Sequence, residues 1–109
     1  MKENTFALII TVVNRGHADL VMDTAKDAGA QGGTILHARG CGTHENEKFF
    51  GISITPEKDV VLIVVKTEQK QQIMRAITEQ AELYKAGKGI IFALPVDDVA
   101  GITHMLNPQ

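Results

Sequence analysis

An α+β fold, with an antiparallel sheet carrying two helices on one face, is predicted by three observations. Four runs rich in branched apolar residues alternate with two stretches of helical spacing, in the order strand, helix, strand, strand, helix, strand. Gly29, Gly32-Gly33 and Gly87-Lys88-Gly89 punctuate those runs. The whole chain is 109 residues, which suits a single domain over 1–109 with one modest core. Together these features give the double βαβ pattern of a ferredoxin-like sandwich.

Each element has its own signature. Phe6 to Val13 is a strand by its branched content. Asn14 is a candidate cap for the first helix, whose packing face is marked by Ala18, Val21, Met22, Ala25 and Ala28 and whose end falls at Gly29. Thr34 to Arg39 forms the second strand, and a loop rich in Gly, His and Glu follows it. Val60 to Val65 is apolar throughout and forms the third strand, with Thr67 a candidate cap for the next helix. Gln69, Ile73, Ala76, Ile77, Ala81 and Tyr84 lie mostly three or four residues apart and mark that helix's packing face. The last strand runs from Ile90 to Leu94 as a buried core strand that Pro95 ends, and Asp97 and Asp98 suit the start of a helical turn.

The first and third strands are apolar on both faces, whereas two helices cover only one. The remaining face therefore requires a partner. At about 25 cal/mol per Å² of apolar area, a few hundred Å² per subunit contributes several kcal/mol against the cost of association. An oligomer with its sheets facing one another around an axis is expected.

Composition narrows the classes of function. The chain is 44% hydrophobic and 22% charged with a formal charge of -2, the profile of an ordinary soluble domain without the basic patch that nucleic acid requires. No apolar run approaches the roughly 20 residues that span a bilayer, and the Met1-Lys2-Glu3-Asn4 start lacks a signal-peptide pattern. Cys41 is the single cysteine, which excludes an internal disulfide and suits a reducing compartment. A cytoplasmic location is expected, with no nucleic-acid partner and no membrane insertion.

A ligand turn is suggested by Gly87-Lys88-Gly89. The two glycines reach backbone conformations closed to other residues, their N–H groups suit an anion-binding concavity, and Lys88 adds a point charge. Lys58, just before the third strand, has the reach to join the same cleft. A plain helix-to-strand reversal is the other reading of the same turn.

Several segments together resemble the PII nitrogen-regulatory signalling family over nearly the whole chain. They are Gly33-Thr34-Ile35-Leu36-His37-Ala38-Arg39-Gly40-Cys41-Gly42, Pro56-Glu57-Lys58 leading into Val60 to Val65, and Gly87-Lys88-Gly89 through Ile91-Phe92 to Pro95-Val96. The resemblance implies a homotrimer of ferredoxin-like subunits, adenine nucleotides in clefts between neighbours, and a partner-binding loop after the second strand. It implies that Thr34 addresses the base or sugar region and Val64 the adenine. It places Arg39, Gly40, Gly87 and Gly89 on the phosphate side with Lys58, while Lys88 adjoins them. Ile90 stands where the family usually has a phosphate-binding lysine, and Gly101 and Thr103 replace two usual arginines. Each missing cation removes charge-assisted bonds worth about 1.5 to 3 kcal/mol, so ATP, ADP, AMP, a cyclic nucleotide or another small anion all stay open as the regulatory ligand, and an empty cleft does too.

The 42–55 segment is somewhat shorter than the family's usual loop and contains no tyrosine, which excludes tyrosine modification there. Its Thr43-His44-Glu45-Asn46-Glu47-Lys48 run is expected to be solvated, while Phe49 and Phe50 suit either packing on the body or contact with an unknown partner protein. His37, His44 and Glu45 lack ligand-dense spacing, so a polar surface role is preferred over a metal site, and Cys41 has no neighbouring base. His17 and His104 are less constrained still. No nucleophile–base constellation is present and no enzymatic activity is expected. Two classes of function follow. The first is a non-enzymatic signalling trimer that reports a small-molecule effector through its loop, with no cofactor held firmly. The second is a metal-binding or stress-tolerance oligomer like the related CutA trimers.

Overall fold

The computed structural model describes residues 5–42, 47–49 and 52–101, with the side chains of 47–49 and 52–54 outside that description. The predicted architecture is present. The described elements are strand β1 (Phe6–Asn14), helix α1 (Ala18–Asp27), strands β2 (Thr34–Arg39), β3 (Glu47–Phe49), β4 (Ile52–Ile54) and β5 (Glu57–Lys66), a 3₁₀ turn (Thr67–Gln69), helix α2 (Lys70–Gln80) and strand β6 (Gly89–Val96). The main sheet has four strands in the order β2-β5-β1-β6. Every neighbouring pair in it is antiparallel, with Ile10 opposite both Leu62 and Phe92, and Thr34 opposite Leu62.

Alternation along the strands divides the sheet into two faces. Ala7, Ile9 and Val13 of β1 and Val61, Ile63 and Val65 of β5 are buried beneath Val21, Met22 and Ala25 of α1 and Ile73 and Ile77 of α2. The other face carries Leu8, Ile10 and Val12 with Val60, Leu62 and Val64, all only half-buried. At its margins Leu36, Ile90, Phe92 and Leu94 are 40–57% exposed. The open apolar face inferred from the sequence is thus a feature of the isolated subunit.

Both helices end alike. At α1, Ala30 N–H donates to Ala25 O at 2.9 Å and Gly29 N–H to Lys26 O at 3.1 Å; Leu83 N–H to Thr78 O and Glu82 N–H to Glu79 O repeat the pattern at α2. These are Schellman motifs, and they require a left-handed residue, which is Gly29 at φ 119° in one and Glu82 at φ 56° in the other. The end of α1 is also tied to the first turn of α2, because Gln72 Nε2 donates to Ala28 O at 2.9 Å.

Several boundaries differ from expectation. Pro95 does not end the last strand but lies within β6, opposite Ala7. β6 is an edge strand, which tolerates a residue without an N–H, and most of its residues are exposed, so it is not a buried core strand. β5 begins at Glu57 and takes Lys58 into the sheet. α1 has its N-cap position at His17, since β1 continues through Asn14. Thr67 opens a 3₁₀ turn before α2, and Asp97 lies in a bend with no helix after it among the described residues. Tyr84 is 68% exposed and not part of the α2 packing face, because the chain has already left the helix. The segment between β2 and β5 carries a two-stranded ribbon in which β3 pairs with β4.

Candidate functional site

Antiparallel order gathers four strand ends at one edge of the sheet. The end of β1 and the starts of β5 and β6 meet there with the end of β2: Asn14 lies opposite Lys58, Ala38 opposite Lys58, Arg39 opposite Glu57, and Val13 opposite both Asp59 and Gly89. The start of β5 is three consecutive charged residues, Glu57-Lys58-Asp59, and the last two are only 6% and 4% exposed. Charges removed from water to that degree need partners. They have them.

Lys58 Nζ donates to Asn14 Oδ1 at 2.7 Å. On the opposite face, Asp59 Oδ2 accepts from Gly16 N–H at 3.0 Å and Oδ1 accepts from His37 Nδ1 at 2.9 Å. The Gly16 amide is the largest influence on the Asp59 carboxyl and, with the bond and charge of His37 and the Ala18 amide, outweighs the opposing effect of burial and holds it below its ordinary value. Arg15 pairs with Glu57 at the rim, where both side chains are exposed and the pair contributes little to stability. Around these groups lies an open cleft of about 400 Å³ lined by Arg15, His37, Ala38, Arg39, Glu57 and Lys58. Its mixed charge includes the cations Arg15, Arg39 and Lys58.

The glycine turn reaches the same edge. Gly87 has φ 80° and Gly89 φ 138°. Gly87 O accepts from Asn14 Nδ2 at 2.9 Å, so one carboxamide touches both the turn and Lys58. Lys88 N–H donates back across the turn to Lys85 O at 3.4 Å. Lys88 also lines a small hollow of about 90 Å³ with Val13, Asn14, His17 and Leu20. At Gly89 an added Cβ would lie 2.3 Å from Val12 O, so β6 can start beside β1 only with glycine in that place.

The residues singled out from the sequence therefore fall into two groups. Arg39, Gly40, Lys58, Gly87, Lys88 and Gly89 share the charged edge, with Gly40 N–H closing the base of the loop on Pro56 O at 3.1 Å. Val64 lies six residues along β5 from Lys58, about 20 Å at the rise of a strand. Thr34 is exposed on β2 opposite Leu62, on the same open face. Ile90 also belongs to the open face and is 57% exposed. Gly101 has φ 93° in a bend, while Thr103, His44, Glu45, Phe50 and His104 lie outside the described residues, as do the Phe49 side chain and its packing. His37 faces Asp59, and Cys41 is exposed with a free thiol.

Sequence reasoning missed Asn14, Asp59, Arg15 and Glu57. Asn14 was legible only as a helix cap, because its side-chain partners are 44 and 73 residues away. The signal for Asp59 was a carboxylate and a lysine set at the head of an apolar strand.

The family model of nitrogen regulatory protein P-II matches residues 6–104 of this chain. Among solved structures, the crystal structure of Arabidopsis thaliana PII bound to citrate is similar, at 27% identity and a TM-score of 0.72 over 94% of this chain and 88% of that one. Among curated proteins, none matches.

Proposed function

Because the chain belongs to the nitrogen regulatory protein P-II family, we propose that it is a non-enzymatic signalling protein that senses an adenine nucleotide or a related small anion and regulates a partner protein through the 42–55 segment. One observation carries this reading: Lys58 and the Gly87–Gly89 turn, 29 positions apart at their nearest, are held by the same carboxamide at one edge of the sheet. A buried ammonium beside an open cleft that Arg15 and Arg39 also line supports an anionic ligand. The similar Arabidopsis protein was crystallised with citrate, which makes di- and tricarboxylates reasonable companions to nucleotides in a binding survey.

The nucleotide is assigned to a cleft between subunits of a homotrimer, with its phosphates at Arg39, Gly40, Lys58 and the 87–89 turn and its base toward Thr34 and Val64. The open apolar face, with Leu36, Ile90, Phe92 and Leu94 at its margins, supports the association. A monodisperse monomer at micromolar concentration in light scattering would exclude it.

Calorimetry of the assembled protein against ATP, ADP, AMP, cyclic nucleotides and citrate tests the assignment. Saturable binding that Lys58→Ala weakens is the expected result, and no heat with any of them would refute the sensing role while leaving the fold intact. The metal-binding alternative draws no support from the described residues, where no group of three or more His, Cys, Asp or Glu side chains is placed to hold an ion.

A further inference from the structure

The geometry points to Asn14 as a positioning residue that couples the Lys58 ammonium to the Gly87–Gly89 turn, so that an anion engaging Lys58 alters the turn and a change in the turn alters Lys58. The functional meaning of this coupling rests on the nucleotide reading above. The coupling itself rests on two hydrogen bonds, from Lys58 Nζ to Asn14 Oδ1 at 2.7 Å and from Asn14 Nδ2 to Gly87 O at 2.9 Å.

The chemistry of the partners explains the residue. An ammonium only donates and a backbone carbonyl only accepts, so the bridge needs an acceptor and a donor on one short planar group. A carboxamide supplies both, and only one of its two orientations satisfies both neighbours at once. Aspartate would hold Lys58 but set a carboxylate against the Gly87 carbonyl; leucine would hold neither.

The backbone of Asn14 is fixed. It is the last residue of β1, in register with Lys58, and its carbonyl accepts from His17 N–H at 3.1 Å with His17 Nδ1 at 3.2 Å. Rotation of the side chain is therefore the main freedom left to it. Asn14 lines the 90 Å³ hollow together with Lys88, while its partner Lys58 lines the 400 Å³ cleft. An anion that draws the ammonium toward the cleft weakens the Oδ1 bond and frees the carboxamide to turn. The Gly87 carbonyl then loses a fixed donor, and glycine at φ 80° gives the turn little resistance to rearrangement.

The test has an arm that needs no ligand. In the nucleotide-free full chain, Lys58→Met is expected to shift the backbone amide resonances of Lys88 and Gly89, and the shift is expected to vanish when Asn14 is leucine in both members of the comparison. Asn14→Ala, which also holds neither partner, replaces the leucine background if that variant does not fold. Unchanged Lys88 and Gly89 resonances in Lys58→Met, or an equal shift without Asn14, would overturn the coupling. In the second arm Asn14→Asp is expected to weaken ATP binding at least tenfold by calorimetry, and binding within twofold of the parent would count against it. If the parent protein gives no heat with ATP, the nucleotide reading fails and the resonance cycle alone decides the coupling.

Discussion

Gly89→Ala separates two effects that glycine combines at the charged edge. A Cβ at residue 89 would lie 2.3 Å from Val12 O, 3.2 Å from Val13 Cγ1 and 3.3 Å from Leu83 Cδ2, at φ 138°. The first contact is with backbone in the central strand β1, so β6 has to move out by about 1 Å to restore an ordinary separation. Backbone in such a region costs a non-glycine residue about 1–3 kcal/mol, and overpacking adds about 1–3 kcal/mol. The expected loss is about 2–6 kcal/mol. Gly87 provides the control, because its φ is 80° but a Cβ there meets nothing within 4 Å. Gly87→Ala therefore bears only the conformational cost, about 1–2 kcal/mol. Urea unfolding at one fixed protein concentration reads the difference, and at the middle of these ranges, with a slope of about 2 kcal/mol per molar, the Gly89 variant should unfold about 1 M earlier than the Gly87 variant. Equal midpoints, or a Gly87 variant less stable than the Gly89 one, would refute the steric argument and with it the claimed close approach of β6 to β1.

Four further outcomes follow from particular contacts. Thr11 is fully buried and its Oγ1 has no hydrogen-bond partner among the described residues, so Thr11→Val is expected to raise stability by about 1 kcal/mol in urea unfolding. Asp59 has its carboxyl held low in the fold, so its contribution is present above the unfolded pKa of about 4 and is lost as pH falls through the lower folded value; Asp59→Asn should remove that part of the acid-limb slope in denaturation curves from pH 6 to 2. Phe92→Asp sets a carboxylate on the open face at a residue now 40% exposed, and sedimentation should show a smaller assembly at the same concentration; an unchanged mass would mean that this face is not the one that associates. Ile90→Lys adds a cation on the face that Lys58 shares, and because the residue is 57% exposed a modest gain in ATP affinity, about tenfold or less, is expected by calorimetry.

The strands were legible where hydrophobic pattern alone decides them. β2 falls at Thr34–Arg39 as the residues predict, and β1 and β5 keep the predicted apolar cores with longer ends. Those longer ends are where pattern fails, since Glu57-Lys58-Asp59 has no apolar residue to mark it as strand, and its partners Arg15, Asn14, Gly16 and His37 arrive from other strands and turns. Pro95 misled for a different reason. Proline excludes a central strand, and the sequence does not reveal that β6 has a neighbour on one side only. The candidate site followed the same division: its glycines and Lys58 carry local signals, whereas Asn14 resembles a helix cap because nothing within a few residues of it reveals its two distant partners.

The topology explains how polar groups from separate strands meet at this edge. Strand order β2-β5-β1-β6 places two central strands side by side, and the end of β1 meets the start of β5 in register at Asn14 and Lys58. A central strand cannot leave a buried ammonium unpaired, and Asn14 opposite Lys58 presents an acceptor, while on the far side of β1 the turn before β6 presents the Gly87 carbonyl to the same side chain. One carboxamide on β1 bonds to both. The hydrogen bonds of Asn14 to Lys58 and to Gly87 therefore tie the start of β5 to the helix-to-strand turn.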